Sequence, residues 1–243
     1  MAVFIFIVIH WYLSLFCQTF FHHRYSAHRM FTMSKGWERF FFFLSWLTQG
    51  SSYLSPYAYG ILHRMHHAYA DTDKDPHSPM YDSNLFTMMW RTKVIYSSIF
   101  HGTYPVEERF KNNLPEWFTF ERFAEGWISR GFWMVLYVFI YTQIATSWWQ
   151  YIFLPANFLM GPLHGAVINW FAHKYGKITF KTKDTSHNLL PVDVLMLGES
   201  YHNNHHRFPA KPNFGFKWFE IDPVYPFIRI FHALKIIKLK RVM

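Results

Sequence analysis

The sequence is poor in cysteine, and two long stretches of it carry no basic residue. Cys17 is the single cysteine among 243 residues. It therefore excludes an internal disulfide, a cysteine-ligated iron–sulfur cluster and a cysteine-based zinc site. With thiolates absent, imidazole is the main metal ligand that the chain offers. None of the 24 Lys and Arg residues falls within 1–23 or 131–173.

These uncharged stretches indicate a membrane protein. Aromatic residues make up 22% of the chain, but the mean hydropathy of −0.04 excludes a chain of uninterrupted spans. A net charge of +9 would also suit a nucleic-acid-binding protein. The cations are confined to 24–130 and 174–243, however, as expected when basic segments stay cytoplasmic. We therefore predict a lipid bilayer, and no nucleic acid, as a partner.

The predicted fold is an all-α integral membrane protein, a single domain with about three transmembrane helices and a helical cytosolic cap. A shared site requires the histidine clusters described below to lie on one side, so a single crossing between the first two is excluded. The basic end Lys235–Arg241 is predicted either to rest on anionic headgroups or to be solvated. The predicted segments are a span at 1–21, a cytosolic region at 22–131 containing an interfacial or re-entrant hairpin at 37–62, a two-span hairpin at 132–173 that turns at 154–157, and a cytosolic cap at 174–243.

Nine histidines and one asparagine are grouped in four short places. The offsets i, i+3 and i+4 put three imidazoles on one helix face in two of these groups. An i, i+5 pair does not share a face of an α-helix, so that pair serves different metals or lies at a distorted helix end. The groups are His23 with His28; His63, His66 and His67; Asn169 with His173; and His202, His205 and His206.

Nine imidazoles exceed what one ion can use. Two metals with four or five donors each, plus Asn169 directly or through water, fit the count, whereas a structural zinc needs only four ligands. Two metals with neutral ligands beside a bilayer suit the activation of O₂ for attack on a hydrocarbon chain. The other histidines are expected to be capping or core residues: His10, His22, His77, His101, His164, His187 and His232.

The histidine motifs resemble those of the membrane fatty-acid desaturases, of the Δ9, stearoyl-CoA desaturase-like type. The family pattern HxxxxH, HxxHH and HxxHH is matched by the three histidine groups at 23–28, 63–67 and 202–206, and NxxxH is matched by Asn169 and His173. Arg24 and Arg64, which follow the first histidines of two boxes, also match, as do Asp75-Pro76-His77 and Gly198-Glu199. The family usually has two spans before its first box, whereas one is predicted here.

The resemblance implies a multi-pass membrane enzyme, an oxidoreductase of lipid metabolism that makes unsaturated fatty acids. Its cofactors would be two Fe²⁺ ions held by the nine histidines, with Asn169 acting through water; zinc can replace iron in an overexpressed sample. With O₂ and two electrons from a separate ferredoxin or cytochrome b5, it would leave a cis double bond, at Δ9 by resemblance. The acyl chain would be carried by CoA, acyl-carrier protein or a lipid. The protein would lie in a bacterial inner membrane or in the membrane of the endoplasmic reticulum, with its metal site on the cytoplasmic face.

Two other functions are compatible with the same residues. A lipid or alkane hydroxylase of the same superfamily would use the same metals but return a hydroxyl group to the chain. A non-catalytic metal-binding or transport protein would carry its ligands at mid-membrane on broken helices, whereas eight of the nine histidines lie outside the predicted spans. The spacing of the boxes favours desaturation.

Overall fold

The computed structural model describes residues 1–240, so Arg241, the last cation of the predicted basic end, lies outside the described residues. The protein is mostly helical, at 59%. The α-helices are α1 Ala2–Cys17, α2 Lys35–Gln49, α3 Pro56–Tyr69, α4 Leu85–Phe100, α5 Glu108–Lys111, α6 Phe118–Glu125, α7 Trp127–Ile144, α8 Leu154–Phe158, α9 Met160–Ala166, α10 His202–Arg207 and α11 Tyr225–Ala233. Short 3₁₀ turns lie at Gly50–Ser52 and Trp148–Phe153.

The first helix is the strongest candidate for a membrane span. Helix α1 continues into a π-helix at Gln18–Ala27, and together they form a helix of 26 residues whose apolar part is long enough to cross a bilayer. Its position agrees with the span predicted at 1–21. A second candidate is the pair Trp148–Phe158 and Met160–Phe171, which is bent by 69°. Residues 1–240 thus contain one helix of spanning length, or two if the bent pair counts, and three spans remain a prediction.

The turn predicted at 154–157 was wrong, because those residues form helix α8. Helix α7 instead ends at Ile144, the chain turns before Trp148, and a second bend falls at Leu159. Pro155 is compatible with helix here because it lies in the first turn, where its missing N–H has no intrahelical acceptor.

A buried polar network explains why Asn157 does not act as a turn residue. Its side-chain Nδ2 lies 2.8 Å from His10 Nδ1, and Tyr141 donates its hydroxyl proton to Asn157 Oδ1 at 2.6 Å. The hydroxyl of Tyr137 lies 3.1 Å from the other ring nitrogen of His10. Interhelical hydrogen bonds of this kind hold apolar helices together where hydrophobic packing alone cannot. The network therefore fixes α1 against α7 and α8.

The main core forms around the π-helix that extends α1. Phe20 and Phe21 are fully buried and pack on Phe41, which belongs to α2. Helix α2 begins at Ser34, whose hydroxyl accepts a hydrogen bond from the Trp37 amide. Helix α2 packs on α1, and α3 packs on the π-helix, so the first and second histidine boxes lie side by side. The interfacial or re-entrant hairpin at 37–62 remains a prediction.

A two-stranded sheet corrects the all-α prediction. Strand β1, Phe31–Met33, pairs antiparallel with β2, Ile237–Leu239, with Thr32 opposite Lys238. The predicted basic end is therefore partly a strand, because Ile237 is buried in the main core while Lys238 points outward. The sheet joins the C-terminal segment to the residues that follow the first histidine box.

Gly50, which follows α2, has no room for a side chain. Its φ is +56°, and an added Cβ would lie 1.7 Å from the Tyr137 hydroxyl, whereas Gly102 has a φ of +72° but open space around it. Gly102→Ala should therefore cost only the backbone strain of about 1–3 kcal/mol, while Gly50→Ala adds a clash with α7. We expect Gly50→Ala to lower the Tm in detergent at least about twice as much as Gly102→Ala does, measured by thermal unfolding of the purified proteins. Equal losses would contradict this packing.

Candidate metal centre

The nine predicted histidines meet in two adjacent groups. In each group the ligand atoms lie within 4.8 Å of one another, which is close enough for all of them to contact one ion. The five-histidine group consists of His23, His28, His63, His67 and His205, and the four-histidine group consists of His66, His173, His202 and His206. The sequence could not assign the histidines to two sites, whereas the structure divides them into these two groups.

The Nε2 atoms of the histidines point at one another inside each group. His23 and His205 are 2.9 Å apart at Nε2, as are His28 and His63, and as are His173 and His202 in the other group. Two nitrogens bound at right angles to one ion, each about 2.1 Å from it, would be about 3.0 Å apart. Neutral imidazoles packed in this way cannot all satisfy one another by hydrogen bonds, because each has one N–H donor. The donor set therefore fits a metal ion in each group.

Each HxxHH box supplies both groups, because adjacent residues on a helix point in different directions. On α3, His63 and His67 enter the five-histidine group, while His66 enters the four-histidine group. On α10 the assignment is reversed, since His205 alone joins the group of five. Residues at i and i+4 stay together, and the residue at i+3 crosses to the neighbouring group.

The first box depends on the π-helix that extends α1. The amide of His28 donates to the carbonyl oxygen of His23 at 3.1 Å, an i+5 to i hydrogen bond, and the two rings lie 5.0 Å apart. An α-helix would turn the two residues away from each other. Of the two alternatives raised by their spacing, the distorted helix end is the one observed, and both rings enter the same group.

Burial keeps most of these imidazoles neutral and therefore able to bind a cation. Desolvation, followed by repulsion from neighbouring imidazoles, holds the pKa of His67, His202 and His205 well below the usual range. Burial also acts to lower the pKa of His66, but the Asp75 carboxylate outweighs it and raises the net pKa. Seven of the nine imidazoles, those with a lowered pKa, therefore offer unprotonated nitrogens at neutral pH.

Carboxylates hold three of the rings from behind. His23 Nδ1 lies 2.6 Å from Glu199, His66 Nδ1 lies 3.0 Å from Asp75, and His206 Nδ1 lies 3.1 Å from Asp184. A proton held on Nδ1 by a carboxylate leaves Nε2 unprotonated and directed inward. These partners orient the rings in the way that metal-binding histidines require.

The arginines that follow two of the histidines join the boxes together. Arg24 is fully buried, pairs with Asp222 at 2.7 Å and with Glu199 at 3.4 Å, and lies over the Phe214 ring. Arg64 donates instead to backbone carbonyls, including those of Ser26 at 3.0 Å and Ala27 at 2.7 Å. Each arginine thus anchors its own box to a distant part of the chain.

An apolar cavity reaches both groups. Its volume is about 820 Å³, and its wall includes His23 and His63 of one group and His202 of the other. Asn169 also lines this cavity and lies within the π-helical segment Val167–Phe171. Most of the wall is apolar, with contributions from α1, α3, α4 and α9. A hydrocarbon chain could therefore lie next to both groups.

His77 is an additional histidine beside the four-histidine group. Its ring lies 4.2 Å from that of His66, and with Asp75 these residues could form a third set of metal ligands. Because Asp75 already binds His66 Nδ1, we interpret the set as support for the four-histidine group. His101, by contrast, is exposed at the end of α4, and its ring bonds the carbonyl of Ser97, as expected for a capping residue.

Sequence reasoning missed the supporting carboxylates. Asp75 and Glu199 stood inside motifs that matched the family pattern, so that match was a usable signal for them. Asp184 lies in a loop of mixed lysine and threonine residues, and nothing in its neighbourhood marks it. Only the fold brings it to His206.

Comparison with known proteins gives one family match. Residues 1–230 match the family described as "Fatty acid desaturase". This match confirms the resemblance that the histidine motifs indicated.

Three curated relatives illustrate the similarity. The Delta-9 desaturase-like 5 protein of Arabidopsis thaliana is 31% identical over 226 residues, covering 89% of this chain and 69% of the relative. The Delta-9 acyl-lipid desaturase 1 of the same plant is 30% identical, and the match covers 88% of this chain and 67% of the relative. The sn-1 stearoyl-lipid 9-desaturase of Anabaena variabilis is 29% identical, covering 87% and 74%.

The carboxylate behind His66 offers a test of the four-histidine group. Asp75→Asn removes the charge that orients the ring and should weaken metal binding by about 10–100-fold, as measured by competition with a chelator. Asp73→Asn is the matched control, because Asp73 is exposed two residues away, and it should leave the metal affinity unchanged. Equal affinities in the two variants would show that Asp75 does not support a metal ligand.

Proposed function

For this chain, which belongs to the fatty acid desaturase family, we propose an O₂-dependent di-iron enzyme that introduces a cis double bond into a saturated fatty acyl chain. The observation that supports this proposal most strongly is the pair of histidine groups, with their converging Nε2 atoms, on the wall of one apolar cavity. A Δ9 position is proposed from the names of the relatives. The enzyme would be an oxidoreductase whether or not the double bond lies at the Δ9 position.

The nine histidines are proposed as the ligands of two ions. Five imidazoles would hold one iron and four would hold the other, and Asn169, which lines the cavity and precedes His173 by four residues, is proposed for the second. The all-nitrogen donor set, without thiolate, suits iron. Iron bound there would supply the redox chemistry that reduces O₂ while C–H bonds are broken.

The overall reaction balances with an external donor. Two adjacent methylenes lose two hydrogen atoms, O₂ takes those together with two further electrons and two protons, and two waters leave. Because Cys17 is the only cysteine, no cysteine-ligated cluster of this chain can store the electrons. A separate one-electron carrier must supply them in two encounters.

The protein's own contribution is position and exclusion of water. The cavity wall places an acyl chain against His23, His63 and His202, and its apolar lining keeps bulk water from the reacting carbons. At the α4 end, Phe86 and Trp90 line the cavity and are also exposed, so this end opens to the surroundings. The polar end of the substrate would lie outside this opening, near Lys93.

Loss of one ligand from either group should abolish desaturation. We expect His205→Ala and His202→Ala each to give no new monounsaturated acid in a host that lacks its own Δ9 desaturase and is supplied with an electron donor. Gas chromatography–mass spectrometry of the fatty acids and a count of bound iron are the measurements. His101→Ala is the matched control and should retain both the product and about two irons per chain. A product heavier by one oxygen would instead identify a hydroxylase.

Filling the cavity should affect the substrate and not the metal groups. An added Cβ at Gly165, which lines the cavity, meets Met89 at 3.7 Å and Asn169 at 3.8 Å, so Ala fits, but the larger Gly165→Leu would occupy space meant for the acyl chain. We expect it to lower turnover at least about tenfold on long chains, with the iron content unchanged. Gly131→Leu on α7 is the control, because nothing lies within 4 Å of its Cβ. Unchanged turnover in Gly165→Leu would show that the chain does not occupy this cavity.

A further inference from the structure

The two histidine groups have an inner and an outer side. The rings that line the cavity belong to His23, His63 and His202, all of which are buried residues. As whole residues, His28, His67 and His206 are partly exposed, although the His206 imidazole itself is buried, and none of the three lines the cavity. The outer side of the groups therefore lies close to the protein surface, away from the space proposed for the substrate.

Cations surround His206 on this outer side. The segments 174–184 and 207–217 together contain six Lys and one Arg but a single acidic residue, Asp184. That carboxylate is turned inward to His206 Nδ1 at 3.1 Å, so it does not neutralise the surface. We define the basic face as Lys181, Lys183, Arg207 and Lys211. None of these four has a carboxylate within ion-pair distance among residues 1–240.

The basic face is held in place by aromatic rings. Phe180, Phe208 and Phe216 form a triangle with ring centres 4.9–5.2 Å apart, and the Lys211 ammonium lies 3.4 Å over the ring of Phe216. The guanidinium of Arg207 lies over the neighbouring ring of Phe208. A face built on packed rings presents its charges in a defined arrangement, which free lysine tails do not.

The same face is tied to the histidines of α10. Asn203, the residue after His202, accepts hydrogen bonds from the amides of Thr179 and Phe180 at 2.8 Å and 2.7 Å. Its Nδ2 donates back to the Phe180 carbonyl at 3.0 Å. Lys183 is adjacent to Asp184, which holds His206. The surface cations and the outer histidine thus belong to one rigid unit.

We propose that the basic face is the docking surface for a small electron-transfer protein whose own surface is acidic around its redox cofactor. This rests on the proposed function, which requires two electrons from outside the chain. Each encounter would oxidise one donor molecule by one electron, and two encounters would serve each double bond. Complementary charge accelerates such encounters and orients them, and interfaces of this kind are small and transient.

A bilayer of anionic lipid is the other partner that a basic face could contact. Two observations favour a protein. The aromatic rings of the face pack on one another and on its cations, and Phe208 alone among the three is exposed, at 38%, so the face presents one ring and not a broad apolar surface for insertion. The face is also connected, through Asp184, to His206, which does not line the apolar cavity.

The test compares two double charge reversals in the full chain, reconstituted in lipid nanodiscs. Lys181→Glu with Lys183→Glu changes the face, and Arg229→Glu with Lys238→Glu makes the same change of charge at exposed positions on α11 and β2. Binding of a plant-type ferredoxin and of the soluble cytochrome b5 domain is measured at low and high salt. Turnover is measured with each donor and with dithionite and methyl viologen, which need no docking surface.

The proposal predicts that one of the two donors binds the wild type at low salt and that the face variant weakens this binding at least tenfold. The control variant should bind normally, and all proteins should contain the same iron and turn over equally with the small reductant. Equal binding in the two variants, or no binding of either donor to the wild type, would overturn the proposal. So would a loss that occurs only in nanodiscs with anionic lipid, since the face would then contact the membrane. Absence of product with the small reductant, despite normal donor binding, would count against the desaturase function instead.

Discussion

The carboxylate of Glu199 is the contact on which the centre depends most. It accepts from His23 and Thr19 and lies within ion-pair distance of Arg24, so it joins the segment before the third histidine box to the first box. Arg24 continues the connection to Asp222, and both of these residues are fully removed from solvent. A buried charge cluster is stable only while every partner is present, and removing one member leaves an uncompensated charge that costs several kcal/mol. Three parts of the chain, near residues 20, 199 and 222, are therefore held in one arrangement.

This arrangement explains how a largely helical protein can build a rigid site from distant segments. Carboxylates bound to the Nδ1 atoms of His23, His66 and His206 turn these rings so that Nε2 points inward. The remaining rings are confined by their neighbours. Asp75 and Asp184 do not line the cavity, whereas Glu199 does, so one of the three orienting carboxylates lies at the cavity wall. Helices α4 and α9 supply much of the remaining wall, and the loop that carries Asp184 supports the histidines away from it.

The sequence revealed the histidines more reliably than their arrangement. Spacing alone identified all nine members of the two groups, because a metal-binding motif is local and its residue types are distinctive. The partition between the groups could not be predicted, since it depends on how α3 and α10 face each other. The pairing of β1 with β2 and the helical state of 154–157 were missed for a similar reason: burial of Ile237 and the bond between Asn157 and His10 are long-range contacts. Asp184 had no local signature at all.

The division of each HxxHH box between two groups has a mechanical consequence. His66 and His67 are consecutive residues, as are His205 and His206, yet the members of each pair serve different groups, with ring centres 5.7 Å and 5.9 Å apart. The separation of the groups is thus set twice, by one residue step on each of two helices, and no hinge or loop intervenes. Moving one group away from the other would therefore disturb both α3 and α10. The spacing between the two groups is therefore set by the backbone of α3 and α10 and does not depend on the surrounding loops.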